Sequence, residues 1–232
     1  MDLPSRTVWD VLAAKEVTNL HHANSVVTSC QFLRRKALLS RGTVADLGLR
    51  QTDQYSDEAD KRYSLWYDVF TDGVDIHHRA SRINKYGPVL FVLSIDKLRQ
   101  HVSPGRVWVT KLNPTKWKGV PQKDRWFQSK KDLEDSYTYG TFDQMVVFRH
   151  CGGSLPIQHC LEKIILDDPE RKVEGFDLAS TAYGALQLAM GDAGIEVPIE
   201  TRECEDGCAC GTHYASRNNL PRTIEMFYPN PS

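Results

Sequence analysis

The sequence has no long hydrophobic run and no surplus of charge of either sign. No stretch approaches the length needed to cross a bilayer, and Met1 to Ala14 carries Asp2 early and no long apolar core, so neither a membrane span nor a secretory signal is expected. Twenty-nine Lys and Arg stand against 30 Asp and Glu, a formal net charge of −1. That balance excludes a global basic field for nucleic acid and an acidic disordered tail, so any site for a polyanion has to be local. Repeats and low-complexity segments are absent, and so is any C-x2-C pair among the six cysteines. With no export signal, those cysteines are expected as reduced thiols or metal ligands in a soluble, cytoplasmic protein with no membrane partner.

What is present suffices for a sizeable core: 232 residues are expected to fold as a single domain without staples. After Asn24, Val26, Cys30, Leu33 and Ala37 recur along one helical face, predicting a helix over 25–40 that stops at Gly42. Ser56-Asp57-Glu58 caps a second, with Ala59, Tyr63, Trp66 and Phe70 as its stripe, and 75–83 reads as a shorter third. Gly87-Pro88 then breaks the chain ahead of PVLFVLSI, residues 88–95, a run apolar on both sides of the alternation, as a central strand requires. Further strands are predicted over 106–112, 141–149, 163–166, 196–200 and 223–227, and a helix over 176–190. The class is therefore α+β, with helices in the N-terminal third followed by a mostly antiparallel β core. Residues 113–140 have weak periodicity and are long for a loop, which marks them as functional or mobile.

Residues 18–42, TNLHHANSVVTSCQFLRRKALLSRG, place two histidines where an apolar strand gives way to a helix. A neutral imidazole offers one donor and one acceptor, enough to orient a ribose hydroxyl at a strand end, and Asn24 can bond ribose or cap the helix. The order Leu20-His21-His22-Ala23-Asn24, then a helix, then Leu38-Leu39-Ser40-Arg41-Gly42 resembles the first signature of DarT-type ADP-ribosyltransferase toxins, a class that includes the mRNA-modifying CmdT-type branch. The resemblance covers roughly residues 15–150. It implies an ADP-ribosyltransferase-like split β core, NAD as substrate, and transfer of ADP-ribose to a nucleobase in RNA or single-stranded DNA. By analogy it also implies a toxin–antitoxin or phage-defence setting, with a cognate antitoxin and a chaperone controlling it.

Carried over by position, the resemblance puts His22 and Asn24 on the ribose. The family's late glutamate, which precedes an apolar run, falls on Gln144 ahead of Met145-Val146-Val147, with Asp143 the nearest carboxylate. A glutamine can hold a hydroxyl but carries no charge for an oxocarbenium-like transition state. Arg41 and Arg79 are the candidates for the pyrophosphate, since a guanidinium fork matches phosphate oxygens. Trp66 and Tyr67 are candidates for stacking nicotinamide, and Tyr86 and Ser94 bound the strand expected as the second pocket wall. Lys116, Trp117, Lys118, Arg125 and Trp126 interleave cations with aromatic faces, the ingredients of single-strand binding.

Cys204, Cys208, Cys210 and His213 supply four soft ligands within ten residues, a candidate structural zinc site in a Cys-rich C-terminal hairpin over 200–232. Two other functions compete with the transferase: a catalytically silent nucleic-acid-binding module, zinc-stapled or not, and an NAD glycohydrolase.

Overall fold

A computed structural model describes residues 2–52, 54, 56–76, 86–102, 105–204 and 208–228. β1 (Leu3–Pro4) runs into α1 (Ser5–Ala14), followed by β2 (Asn19–Asn24), α2 (Val26–Arg35), β3 (Ala37–Leu39), α3 (Arg41–Asp46), α4 (Asp57–Arg62) and β4 (Val69–Asp72). Next come β5 (Val89–Ser94), α5 (Ile95–His101), β6 (Arg106–Val109), α6 (Gln122–Arg125), α7 (Lys130–Ser136) and β7 (Met145–Phe148). The last third holds β8 (Ser154–Pro156), β9 (Leu161–Asp168), β10 (Lys172–Val173), β11 (Phe176–Asp177), α8 (Leu178–Ala193), β12 (Ile199–Glu203), α9 (Ala209–Ala215) and α10 (Leu220–Phe227).

Eight strands make one sheet in the order β1-β6-β7-β4-β2-β5-β9-β12. Its pairs are antiparallel apart from β9 with β12, so the architecture is α+β and mostly antiparallel. β5 is central: Val89 to Leu93 are all buried, as an apolar run covered on both faces demands. α2 lies against α8 and α10, so helices cover the sheet from both ends of the chain and not from the first third alone. No helix among the described residues is long and apolar enough to cross a membrane.

One feature of the sheet positions the site. β2 pairs with β5 along all of Asn19–Asn24, but with β4 at the single pair His21↔Asp72. Beyond that pair the two strands part, and a cleft opens at the C-terminal end of β2.

Several elements differ from the sequence expectation. The helix over 25–40 ends at Arg35: Lys36 takes a left-handed conformation (φ 56°), and Ala37–Leu39, all buried, become a strand against β8. The stripe Ala59-Tyr63-Trp66-Phe70 spans two elements, because Ser64 is left-handed (φ 58°) and Phe70 belongs to β4. Residues 223–227 are helical; Pro221 fits the first turn of α10, and Thr223, Met226 and Phe227 bury one helical face. The C-terminal segment is therefore β12, α9 and α10 and not a hairpin. The third helix expected over 75–83 lies mostly outside the described residues.

Gly87 packs against the end of β2 that carries Asn24. A Cβ built there falls 2.3 Å from Asn24 C and O and from Ser25 N, and its φ of 142° disfavours any L side chain. Those neighbours are backbone and cannot yield. Gly87→Ala is expected to cost about 2–3 kcal/mol and to loosen the Asn24–Ser25 junction; urea unfolding of the variant measures it.

Candidate active site

The cleft is partly open to solvent and holds about 90 Å³ of free space. β2 delivers His22 and Asn24 to it, α3 delivers Arg41, β4 delivers Phe70 and Asp72, and Tyr86, Phe142 and Met145 also line it.

His22 is held in one tautomer. Its Nδ1–H donates to the Phe70 carbonyl at 2.8 Å, which leaves Nε2 as the acceptor, 3.5 Å from Asn24 Nδ2. Burial holds its pKa below the usual histidine range, and the Phe70 bond opposes that only in part, so the ring is neutral. Phe32 packs beside it, ring centroids 5.8 Å apart. Asn24 Oδ1 accepts from Ser25 N at 3.0 Å at the start of α2, which fixes the amide so that its NH2 points at the imidazole.

Arg41 stands at the first residue of α3, directly after Ser40, whose hydroxyl caps that helix by accepting from Thr43 N. Asp57 grips the guanidinium with two bonds, from Nε at 2.8 Å and Nη2 at 2.5 Å, with both side chains largely buried (15% and 16% exposed). Nη1 is buried with no partner. A charged donor held rigid and left unsatisfied in a cleft is poised for an anionic ligand oxygen.

Acids line the same space. Burial pushes the carboxyls of Asp60 and Asp72 up to about 7, and raises that of Asp68 against the lowering effect of the Arg149 guanidinium, 2.7 Å away. A raised carboxyl pKa makes the folded state retain protons that the unfolded chain releases, so these groups destabilise the fold as pH climbs from about 4 to 7. The sequence reading missed all three. The signal for Asp72 is the alternation Phe70-Thr71-Asp72, which puts Phe70 and Asp72 on one face of a strand and which the helical spacing of Phe70 with Trp66 obscures.

The other sequence candidates fall elsewhere. Gln144 does not line the cleft: it sits in the turn before β7, its Oε1 accepting from Thr138 N at 2.8 Å and its Nε2 donating to the Ser136 carbonyl at 3.2 Å. Asp143 accepts from Asn113 N and pairs with Lys116 at 2.7 Å. Both tether the 113–140 connection to the sheet. Ser94 caps α5 at the far end of its strand, accepting from Lys97 N. Trp66 stands behind Arg41, 5.9 Å from its guanidinium carbon and outside the cleft lining, and Lys61 covers the same ring at 4.7 Å. Tyr67, 51% exposed, donates to Asp46. Tyr86 lines the cleft; Arg79 lies outside the described residues.

Trp117 and Trp126 are not an open stacking surface. They are 1% and 2% exposed, stacked edge-on at 4.9 Å, with Trp108 and Tyr63 extending the row and Arg125 and Arg149 laid against its rings. The connection carries α6 and α7, and its aromatics form a second core under β6 and β7. Lys118 is exposed.

The zinc expectation is also corrected. Among the described residues no group of three His, Cys, Asp or Glu side chains is placed to hold a metal ion. Cys208 precedes α9, Cys210 turns into the core, and burial together with Asp167 and the neighbouring thiols pushes Cys204 up to about 12. Here the charge that matters is the buried Asp167, which accepts from Tyr214 and pairs with Arg202, itself bonded to Asp75.

The class is α+β, with a mostly antiparallel sheet that splits beside a cleft and a tautomer-fixed histidine at its edge. The fold is similar to that of DarT. A solved structure titled "Thermus sp. 2.9 DarT in complex with ADP-ribosylated ssDNA" superimposes with a TM-score of 0.51 at 13% identity, covering 81% of this chain and 95% of that one. The same organism's DarT in complex with NAD+ gives 0.48 at 12%, with 81% and 96% covered. No family model matches the sequence, and no curated protein does.

Proposed function

We propose that this chain is an NAD-dependent ADP-ribosyltransferase that modifies a nucleobase in a single-stranded nucleic acid. The observation that carries the reading is the cleft itself: neutral His22 and the oriented Asn24 amide on one lip of the split sheet, and the buried, unsatisfied Nη1 of Arg41 beside them. The imidazole Nε2 gives up its long 3.5 Å contact with the Asn24 amide to accept from a ribose hydroxyl, the freed amide NH2 donates to a ribose oxygen, and a fixed guanidinium takes pyrophosphate oxygens. The likeness to a DarT solved with ADP-ribosylated single-stranded DNA favours DNA as the acceptor, with RNA the other arm of the test. Tyr67, exposed beside Gly42, is an aromatic face on which an unstacked base can rest, and exposed Lys118 is a cation for the backbone. A cytoplasmic toxin role with a cognate antitoxin, in which an attack on nucleic acid is held in check, follows from the resemblance to that class.

Incubation with NAD labelled in its adenylate moiety, together with single-stranded DNA or RNA oligonucleotides, tests the reading. Label on the polymer is the expected result. Free ADP-ribose without polymer labelling would indicate a glycohydrolase, and intact NAD with polymer binding a silent module. His22→Ala removes a neutral donor–acceptor pair and is expected to slow labelling about tenfold while the melting temperature stays close to wild type. Undiminished labelling would place the ribose elsewhere.

A further inference from the structure

We propose that Asp72 is the catalytic carboxylate of this cleft, meeting the NAD ribose and taking the proton shed by the attacking base. The assignment rests on the transferase reading and names the acid which that reading needs. Gln144, the position indicated by alignment, is neutral and has its amide committed to Ser136 and Thr138. Of the three carboxylates bordering the cleft, Asp68 is ion-paired with Arg149 and Asp60 is bonded to Ser56. Among the described residues no donor reaches Asp72.

Its place in the sheet is distinctive. Asp72 is the β4 member of the one β2–β4 pair, opposite His21, at the point where the sheet splits. Phe70, two residues before it on the same strand face, anchors His22 through its carbonyl. The imidazole and the uncommitted carboxylate both line the one cleft, where a ribose held by His22 would lie.

In the reaction the C1′–N bond of NAD breaks, and its electron pair leaves on nicotinamide. A lone pair on the acceptor nitrogen forms the new C1′–N bond, and the proton that nitrogen loses passes to the Asp72 carboxylate. Positive charge concentrates on C1′ between the two events, and an ionised carboxylate in a water-poor cleft stabilises it. Burial places the Asp72 carboxyl at about 7, and the pyridinium charge of bound NAD favours its ionised form. Among the described residues, the titratable and charged groups around it are His21 and His22 on β2, Asp60 on α4, Asp68 ahead of β4, Tyr86 and Arg41. β7, on its other side, presents Met145 and no ionisable group.

The test compares wild type with D72N, D60N and Q144A, using adenylate-labelled NAD and single-stranded oligonucleotides, with NAD binding measured by calorimetry. D72N should lose about 100-fold in transfer rate while binding NAD within about threefold of wild type, and Q144A should stay within about threefold in rate. The wild-type kcat/KM, which reports the unliganded enzyme, should climb about tenfold per pH unit below an apparent pKa near 7, and D60N should keep that limb. The pH profile needs no variant, so it stands if D72N fails to fold. A D72N rate within threefold of wild type, a parallel loss of NAD binding, a Q144A defect equal to that of D72N, or a flat wild-type profile would each overturn the assignment with the transferase reading intact. Wild type that leaves NAD untouched with every acceptor would overturn the reading and this assignment with it.

Discussion

Trp126→Ala is expected to unfold a large share of the molecules rather than trim acceptor binding. The indole is 2% exposed, contacts the rings of Trp117 and Trp108, and has the Arg149 guanidinium 5.6 Å from its centroid. Truncation removes the burial of a large aromatic and leaves a cavity that the row of rings cannot close, a loss of about 3–5 kcal/mol. Against a typical domain stability of about 5–15 kcal/mol, that is a large fraction. Urea denaturation should show the midpoint falling sharply. Lys118→Ala, at an exposed position, should move stability by no more than about 0.5 kcal/mol. A Trp126→Ala protein of wild-type stability that had lost only polymer labelling would restore the indole to an acceptor site.

Arg41→Ala should damage binding and fold together. Asp57 is held by two guanidinium bonds in a largely buried setting, and truncation would leave that carboxylate uncompensated. The same change removes the buried Nη1 donor from the cleft, so NAD affinity should fall by several hundredfold, the consequence of losing about 3–4 kcal/mol of charge-assisted bonding. Arg41→Lys separates the two effects. It keeps the charge and part of the pairing with Asp57 but lacks the fork, so it should recover most of the melting temperature and little of the affinity. Calorimetry with NAD and a thermal melt on each variant provide the check; affinity unchanged in Arg41→Ala would remove Arg41 from the binding site.

How much of this was legible beforehand depended on the kind of signal. The apolar run 88–95 encodes its own central burial, and the spacing of Leu178, Ala182 and Leu186 encodes α8, because each pattern repeats with the period of the element it forms. The histidine junction at 21–24 was equally readable, as the end of a strand meeting a helix. Trp117 and Trp126 were not: a sequence of lysines and aromatics looks the same whether its rings face solvent or one another, and only contact with β6 and β7 turns them inward. The thiols of 204–210 misled for a related reason, since spacing counts ligands but cannot show that the fold turns Cys210 into the core and brings no three of them together among the described residues.

By itself the sequence determined the class of fold, the central strand, and the delivery of His22 and Asn24 to a strand end, all of which follow from local periodicity and chain order. The tertiary structure decided which acid shares that space. Gln144 and Asp72 are 72 residues apart in chain order, and β7 and β4 are neighbours in the sheet, pairing Met145 with Asp72. Whether Gln144 or Asp72 reaches the cleft depends on a register that is set by long-range pairing, where a shift of one residue reverses every side chain.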